Sequence, residues 1–300
     1  MQKILSTDSL SKKYGSVQAL QDLTIDVHQG DVYGILGPNG SGKTTTLGIV
    51  LGATNASSGT YTWFEEEGSY YELRKRVGAF LDRPSFYPNL NAIQNLRLVA
   101  EIKDLQQPGI DEAMELCGVR QYAKRKFLSY STGMKQRLAI AATLLGDPEV
   151  LVLDEPTNGL DPKGIADVRE LIKRIAGKGI TVIMASHLLD EVQKVCSHVA
   201  VLKGGKKLYE GQVQTLVAGS GGIEISADDP GKLQKVLTGF DGVDKIEVKG
   251  EKVLVVLKAG FKSAELSGHL IKHGVDITHF AHRKGNLEEE FLHLLSENAR

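Results

Sequence analysis

Cysteine is scarce: Cys117 and Cys196 are the only two in 300 residues. Two isolated thiols in apolar helical contexts do not make a disulfide framework, which points to a reducing compartment. No apolar run reaches the ~18–20 residues that cross a bilayer. The longest clean stretch, Leu138–Leu145, is stopped by Asp147 and Pro148. The opening Met1-Gln2-Lys3-Ile4-Leu5-Ser6 lacks the apolar core of a signal peptide. A soluble cytoplasmic protein is therefore expected, with any membrane role supplied by a partner. An excess of one charge is missing too: 36 Lys and Arg face 37 Asp and Glu, a formal net charge of −1. Such a balance gives no bulk attraction to nucleic acid or an acidic membrane, and no nucleic-acid partner is expected. The basic runs Lys124–Lys126 and Lys203–Lys207 read as solvated loop charges. Internal repeats and low-complexity tracts are absent. The 41% hydrophobic content supports a sizeable core, and the length suits two domains.

What is present is concentrated at residues 37–44. Gly37-Pro38-Asn39-Gly40-Ser41-Gly42-Lys43-Thr44 matches the pattern G-x-x-x-x-G-K-[ST] at every fixed position. Its glycines let backbone N–H groups turn toward an anion with no Cβ in the way. Lys43 brings a point charge to the β- and γ-phosphates, and the Thr44 hydroxyl can ligate Mg²⁺. The flanks agree. Val32–Leu36 suits a buried strand, and Thr45–Leu51 begins a helix whose positive end faces the phosphates. A nucleoside triphosphate and Mg²⁺ are the expected ligands.

Around this loop, strands alternate with helices. Ile4 to about Val32 reads as short strands and turns, and Gly59–Phe64 as another β stretch. Glu65–Gly68 reads as an exposed turn, Leu73–Arg76 as a short helix and Val77–Leu81 as a strand. Leu90 to about Leu128 is a helical insertion carrying Ala92–Ile102 and Ile110–Cys117. Thr132–Gly146 is a further helix, and Val150–Leu153 an apolar run of the kind found in central parallel strands. Helix Gly164–Ala176, strand Ile180–Met184, helix Leu188–Cys196 and strand Val199–Leu202 follow. This order implies right-handed βαβ units and a parallel sheet. Ala218–Gly222 reads as a linker. Beyond it the order βαββαβ, over Ile223–Ser226, Gly231–Thr238, Val243–Val248, Lys252–Leu257, Ser263–His273 and Asp276–His282, is that of a ferredoxin-like domain. Helix Leu287–Ser296 closes the chain.

A phosphate loop binds nucleotide without explaining hydrolysis. Val150–Leu153 runs into Asp154, Glu155 and Pro156. An apolar strand ending in a carboxylate puts Asp154 at the sheet edge, where it can hold Mg²⁺ through water. Glu155 is placed to polarise an attacking water as general base. Between the two motifs, Ser131-Thr132-Gly133 opens a helix, which makes a second surface suited to an anion; an ordinary serine N-cap has the same appearance.

These three segments, in this order, resemble the ATPase subunit of ATP-binding-cassette (ABC) transporters over roughly residues 2–215. Ser131 and Gly133 match the family signature, which ends here in Tyr130-Ser131-Thr132-Gly133-Met134. Thr157–Pro162 looks like the segment along the dimer interface. Ala185-Ser186-His187 looks like the switch, with His187 reaching the γ-phosphate, and Lys12–Gly15 like the adenine-stacking segment, with Tyr14 as the aromatic. The resemblance implies a split site. One chain supplies Tyr14, Gly37–Thr45, Asp154, Glu155 and His187; a second copy, head to tail, supplies Ser131 and Gly133. It also implies integral-membrane permease subunits, with this chain peripheral on the inner face of the membrane. The fold class that follows is α/β: a P-loop NTPase core with a parallel sheet, an N-terminal antiparallel β subdomain and a helical insertion at about 86–135. Residues 1–217 would form that ATPase domain and 218–300 a small α+β ferredoxin-like accessory domain.

One position departs from the family. Asp82, in Leu81-Asp82-Arg83-Pro84, stands where glutamine is usual, and it is assigned to the metal shell with Thr44 and Asp154. With Phe86–Leu96, Gly133–Arg137 and Asn286–Leu292, it gives a likeness to the bacitracin and lantibiotic export branch. The competing class is a soluble regulatory or mechanical ATPase. Against it, Lys43 to Asp154 shows no sustained heptads, and the chain holds one cassette. Five of the eight histidines lie in the C-terminal region. His269 and His273, at i and i+4, could bind metal, but no carboxylate or cysteine cluster accompanies them, and surface histidines are the simpler reading.

Overall fold

The computed structural model describes residues 2–65, 75–81, 85–218, 221–258 and 260–297. It divides into two compact units: residues 1–213 together with 294–300, and residues 214–293.

In the first unit, three apolar runs form the centre of a sheet. Strands β3 (Val32–Leu36), β6 (Val150–Asp154) and β7 (Thr181–Ser186) are buried at every position, as expected for parallel strands covered on both faces. With β5 (Val77–Phe80), β8 (His198–Lys203) and β9 (Lys206–Gln212) they make one six-stranded sheet in the order β5-β6-β7-β3-β8-β9. All pairings are parallel except β8 with β9. The register sets Asp154 opposite Ala185 and Leu36 opposite Ser186, so the carboxyl ends of β3, β6 and β7 share one edge. The loops that leave those ends are brought together by register alone.

A second sheet, β2-β1-β4, is antiparallel and joins β1 (Lys3–Tyr14), β2 (Val17–His28) and β4 (Ser58–Trp63). Here the reading of short strands is corrected, because β1 and β2 run 12 residues each. Register shifts interrupt their ladder, and Ser9 and Asp22 sit at φ +50° and +48°. Each bulge resets the inside–outside alternation, so a long strand reads as fragments. Side chains hold the bulges: Ser9 N–H donates to Thr24 Oγ1 at 2.9 Å, and Asp22 N–H to Ser11 Oγ at 2.9 Å.

The insertion is helical. Helix α1 (Lys43–Val50) follows β3; α2 (Ala92–Ile102), α3 (Ile110–Leu116) and α4 (Thr132–Thr143) come later. Asn91 and Gln94 form a reciprocal capping box on α2, each side chain bonding the other's backbone N–H at 2.9 Å. Buried Asn95 accepts from Tyr87 N–H and donates to the carbonyls of Tyr87 and Asn91, fastening the loop before α2. Helices α5 (Pro162–Ala176) and α6 (Leu189–Val195) flank β7 in sequence. Arg169 of α5 ties them with a forked pair of bonds to the buried carboxylate of Glu191, at 3.0 and 3.1 Å. The basic run Lys203–Lys207, read as loop charge, instead ends β8 and opens β9. Lys207 Nζ bonds Thr24 O and lies 2.6 Å from Glu210 Oε2. Polar side chains suit an exposed edge strand and hide it from a hydrophobicity pattern.

After α7 (Val213–Ala218), the second unit carries β10 (Gly222–Ala227), α8 (Pro230–Thr238), β11 (Val243–Lys249), β12 (Lys252–Leu257), α9 (Ser263–Lys272) and β13 (Ile277–Arg283). Its antiparallel sheet, β11-β12-β10-β13, has the ferredoxin-like order. Leu233, Leu237, Leu266 and Leu270 from the two helices pack on Ile223, Ile225, Val253 and Val255. Helix α10 (Leu287–Glu297) follows. The imidazoles of His269 and His273 lie 4.2 Å apart, and no group of three or more metal-ligating side chains occurs among the described residues. Residues 66–68 of the expected turn Glu65–Gly68, residues 73 and 74 of the expected helix Leu73–Arg76, and the linker centre Gly219-Ser220 lie outside the described residues.

Both cysteines are free and buried. Burial pushes the Cys117 thiol up to about 12 and raises that of Cys196 as well. A raised thiol stays protonated at pH 8 and so lacks the nucleophilic thiolate. A thiol-specific disulfide reagent should therefore release no fast chromophore from the folded protein at pH 8, and two equivalents once denaturant is added. A fast equivalent from the folded chain would contradict this burial.

Candidate nucleotide site

The loop leaving β3 is built on close backbone approach. A Cβ on Gly37 would lie 2.3 Å from Ser41 Oγ and 2.4 Å from Leu202 O. Gly42, the N-cap of α1, sits at φ +107°, and a Cβ there would lie 2.8 Å from Ala19 O. Larger residues would prise the loop off β8 and β2. Pro38, Asn39 and Gly40 form its exposed rim, whereas Ser41 and Lys43 are buried and Thr45 half-buried. Ser41 Oγ makes no hydrogen bond among the described residues.

Lys43 is only 6% exposed. Its ammonium donates to Gly37 O at 2.8 Å and Pro38 O at 3.3 Å, and stands 3.8 Å from Glu155 Oε1. A buried cation held by carbonyls within a glycine-rich loop at a helix N-terminus suits a polyphosphate. Thr44 Oγ1 donates to Asp154 Oδ2 at 2.8 Å across the register just described. A hydroxyl and a carboxylate converging at the loop are hard oxygen donors, and they fit Mg²⁺, which takes one or two protein oxygens beside substrate phosphate. Asp82, the third residue assigned to the metal, lies outside the described residues.

Glu155 follows Asp154 directly and is turned by its backbone. Its φ is +47°, in the left-handed region that costs a non-glycine residue about 1–3 kcal/mol. Its N–H donates to Ala185 O at 3.0 Å, which pins the turn to the end of β7. The carboxylate then bridges Lys43 and His187, whose Nδ1 lies 2.7 Å from Glu155 Oε2. The turn that carries His187 is closed across it: Ser186 is fully buried, and its Oγ accepts Leu188 N–H at 3.0 Å. Lys43, Thr44, Asp154, Glu155 and His187 thus meet at one sheet edge. The chemistry available there is a cation, a hard-oxygen pair and a carboxylate–imidazole couple beside an anion cradle.

Other expected residues lie apart from that cluster. Ser131 caps α4, its Oγ accepting Met134 N–H at 3.3 Å. With Gly133, Gly159, Leu160 and Asp161 it lines an open concavity to which none of Lys43, Thr44, Asp154, Glu155 and His187 contributes. Tyr14 ends β1 half exposed, with Lys12 Nζ 4.8 Å above its ring. Sequence reasoning missed the outer support of the loop: Gly205 N–H donates to Ser41 O at 3.1 Å, and Gly205 O accepts Gln21 N–H at 2.8 Å. The one signal is the pair Gly204-Gly205 inside the basic run Lys203–Lys207. Glycine fits this position on two counts: φ is +81°, and a Cβ would lie 2.9 Å from Ala19 O.

A family model described as ABC transporter matches residues 20–158. The bacitracin transport ATP-binding protein BcrA of Bacillus licheniformis is 35% identical, over 98% of this chain and 98% of its own length. The lantibiotic transport ATP-binding protein SrtF of Streptococcus pyogenes is 36% identical, over 69% of this chain and 90% of its own. Among solved structures, an ATP-binding cassette captured as a dimer in a post-hydrolysis state with ADP and Pi is 25% identical. It covers 70% of this chain and 99% of its own, with a TM-score of 0.60. With near full-length similarity added to a nucleotide site assembled at the sheet edge, the chain belongs to the ABC transporter family as an ATP-hydrolysing, ATP-binding subunit.

Proposed function

We propose that this subunit powers export of an antimicrobial peptide, antibiotic or similar compound through a separate membrane permease. In this reading the cradle Gly37–Thr45 and Lys43 hold the ATP phosphates, Tyr14 stacks on adenine, and Thr44, Asp154 and Asp82 form the shell of Mg²⁺. The ion, when bound, neutralises charge on the phosphates. Glu155 takes a proton from the attacking water, and His187 orients Glu155 and meets the γ-phosphate. The observation that carries the reading is the meeting of Lys43, Thr44, Asp154, Glu155 and His187 at one edge.

The separate concavity around Ser131 and Gly133 supports completion of each site by a second, head-to-tail copy, as does the dimeric state of the solved relative. ATP then joins two copies and hydrolysis releases them. Residues 1–217 carry this work and 218–300 form the accessory domain. The bacitracin and lantibiotic names of the relatives support the export assignment. They also support a position at the cytoplasmic face of the membrane, with the helical segment at about 86–135 meeting the permease.

Ser131→Ala tests the shared site. It removes one helix cap, worth about 1 kcal/mol. ATPase turnover should fall about tenfold, the scale of one lost transition-state hydrogen bond at 1.36 kcal/mol per decade. ATP affinity of dilute, monomeric protein should hold, because the hydroxyl serves the other copy's nucleotide. A matching loss of affinity in the monomer would place Ser131 in its own chain's site and overturn the split arrangement. Co-purification of a membrane permease with the tagged subunit tests the transport assignment, and a subunit that retains no membrane protein would favour a soluble ATPase.

A further inference from the structure

The brace behind the phosphate loop reaches α10. Strand β8 ends at Lys203, β9 begins at Lys206, and these two residues pair across the turn. On one side of Lys203, Leu202 O is the backbone atom that excludes a Cβ from Gly37. On the other, Gly205 is buried and donates its N–H to Ser41 O. Lys203 therefore sits between the two points at which this turn touches the loop. Its own ammonium points away, donating to Leu295 O at 2.6 Å.

Leu295 belongs to residues 294–300, which group with the first unit, whereas 214–293 form the second. The chain leaves the first unit at Val213 and re-enters it at Leu294. Leu295 lies in the last turn of α10, where carbonyls have no intrahelical partner and the helix end carries partial negative charge. An ammonium–carbonyl bond at that position is charge-assisted and holds its geometry better than a neutral one.

We infer that Lys203 is a positioning residue for the phosphate loop and that the returning segment Leu294–Glu297 is its anchor, so that seating of the chain's end sets ATP affinity. The inference rests on the reading that Gly37–Thr44 holds ATP. When the segment is seated, Lys203 fixes the turn, and Leu202 O and Gly205 N–H hold the loop open-faced for phosphate. When it leaves, the turn loses its outer tether while Lys43, Asp154, Glu155 and His187 keep their contacts. Affinity changes and the chemical step does not.

Full-length protein, Lys203→Met, Lys203→Arg, a chain ending at His293, and that shortened chain carrying Lys203→Met are titrated with a fluorescent ATP analogue, and steady-state ATPase is measured alongside. Lys203→Met and the shortened chain should each weaken binding about fivefold, the low end of coupling between two sites. KM should rise in step with unchanged kcat. Lys203→Arg should bind as the parent does. The doubly altered chain should be no weaker than either single change, because both remove one interaction. The inference is overturned if the Met and shortened variants bind as tightly as the parent. It is equally overturned if the Met and Arg variants weaken alike, or if the two losses add in the double variant. A parent that binds no analogue at all would instead remove the ATP reading beneath it, a result distinct from each of these.

Discussion

Glu155→Gln should lower kcat by about two to four orders of magnitude, the range general-base catalysis contributes, while leaving ATP bound. The amide has the shape of the carboxylate and imposes the same demand on a backbone at φ +47°, so the turn pinned by Glu155 N–H to Ala185 O is retained. It cannot accept a proton from water. The change also removes a negative charge 3.8 Å from Lys43 Nζ, which favours the phosphate anion at that cation and leaves ATP affinity equal or tighter. With binding kept and cleavage slow, two copies should stay joined in the presence of ATP. Phosphate release gives kcat, and sedimentation with and without ATP gives the association state. Normal turnover by this variant would remove Glu155 from the role of base. Slow turnover without an ATP-dependent dimer would keep the base and reject the shared site.

The parts of this fold that were legible are those in which side chains carry the pattern. Val150–Leu153 reads as a central strand and Val32–Leu36 as a buried one because they are short, largely apolar runs, and every position is buried. Ala92–Ile102 was legible from its helical pattern, and the Asn91–Gln94 capping box fixes its start. The βαββαβ order of the second unit was readable because its alternating apolar residues make one helix-covered face. Strand β9 was not legible, since Lys206 and Lys207 are paired through backbone at an edge where polar side chains are normal. The lengths of β1 and β2 were hidden by the bulges at Ser9 and Asp22.

For the candidate site the same division holds. Lys43, Thr44, Asp154 and Glu155 are legible from their two motifs and His187 only from the family resemblance, and the register brings them together. The brace from Gly205 and Leu202 is made of main-chain atoms, which any sequence possesses. The left-handed turn at Glu155 is likewise a property of φ, set by its bond to Ala185 O rather than by its side chain.

That backbone contact carries the second large effect. Gly37→Ala should weaken ATP binding by about five- to a hundredfold, since the overpacking cost of ~1–3 kcal/mol converts at 1.4 kcal/mol per decade. The cause is steric as well as conformational: φ at Gly37 is +158°, a value that L side chains rarely adopt, and the space for a side chain is filled. Its Cβ would lie 2.3 Å from Ser41 Oγ and 2.4 Å from Leu202 O. The serine side chain can rotate, but Leu202 O belongs to β8, where the ladders with β3 and β9 fix it. The loop itself must therefore move, and with it the carbonyls of Gly37 and Pro38 that aim Lys43. Gly179→Ala separates this from strain in general. Gly179 has φ +89° and nothing within 4 Å of its absent Cβ, so the alanine costs roughly 1–2 kcal/mol of left-handed strain and touches no part of the loop. Calorimetry should show both variants melting lower than the parent, while titration with a fluorescent ATP analogue should show only Gly37→Ala losing affinity. Equal affinity of Gly37→Ala and the parent would mean that Leu202 O yields, and that the loop is held by its own glycines rather than by the strand behind it.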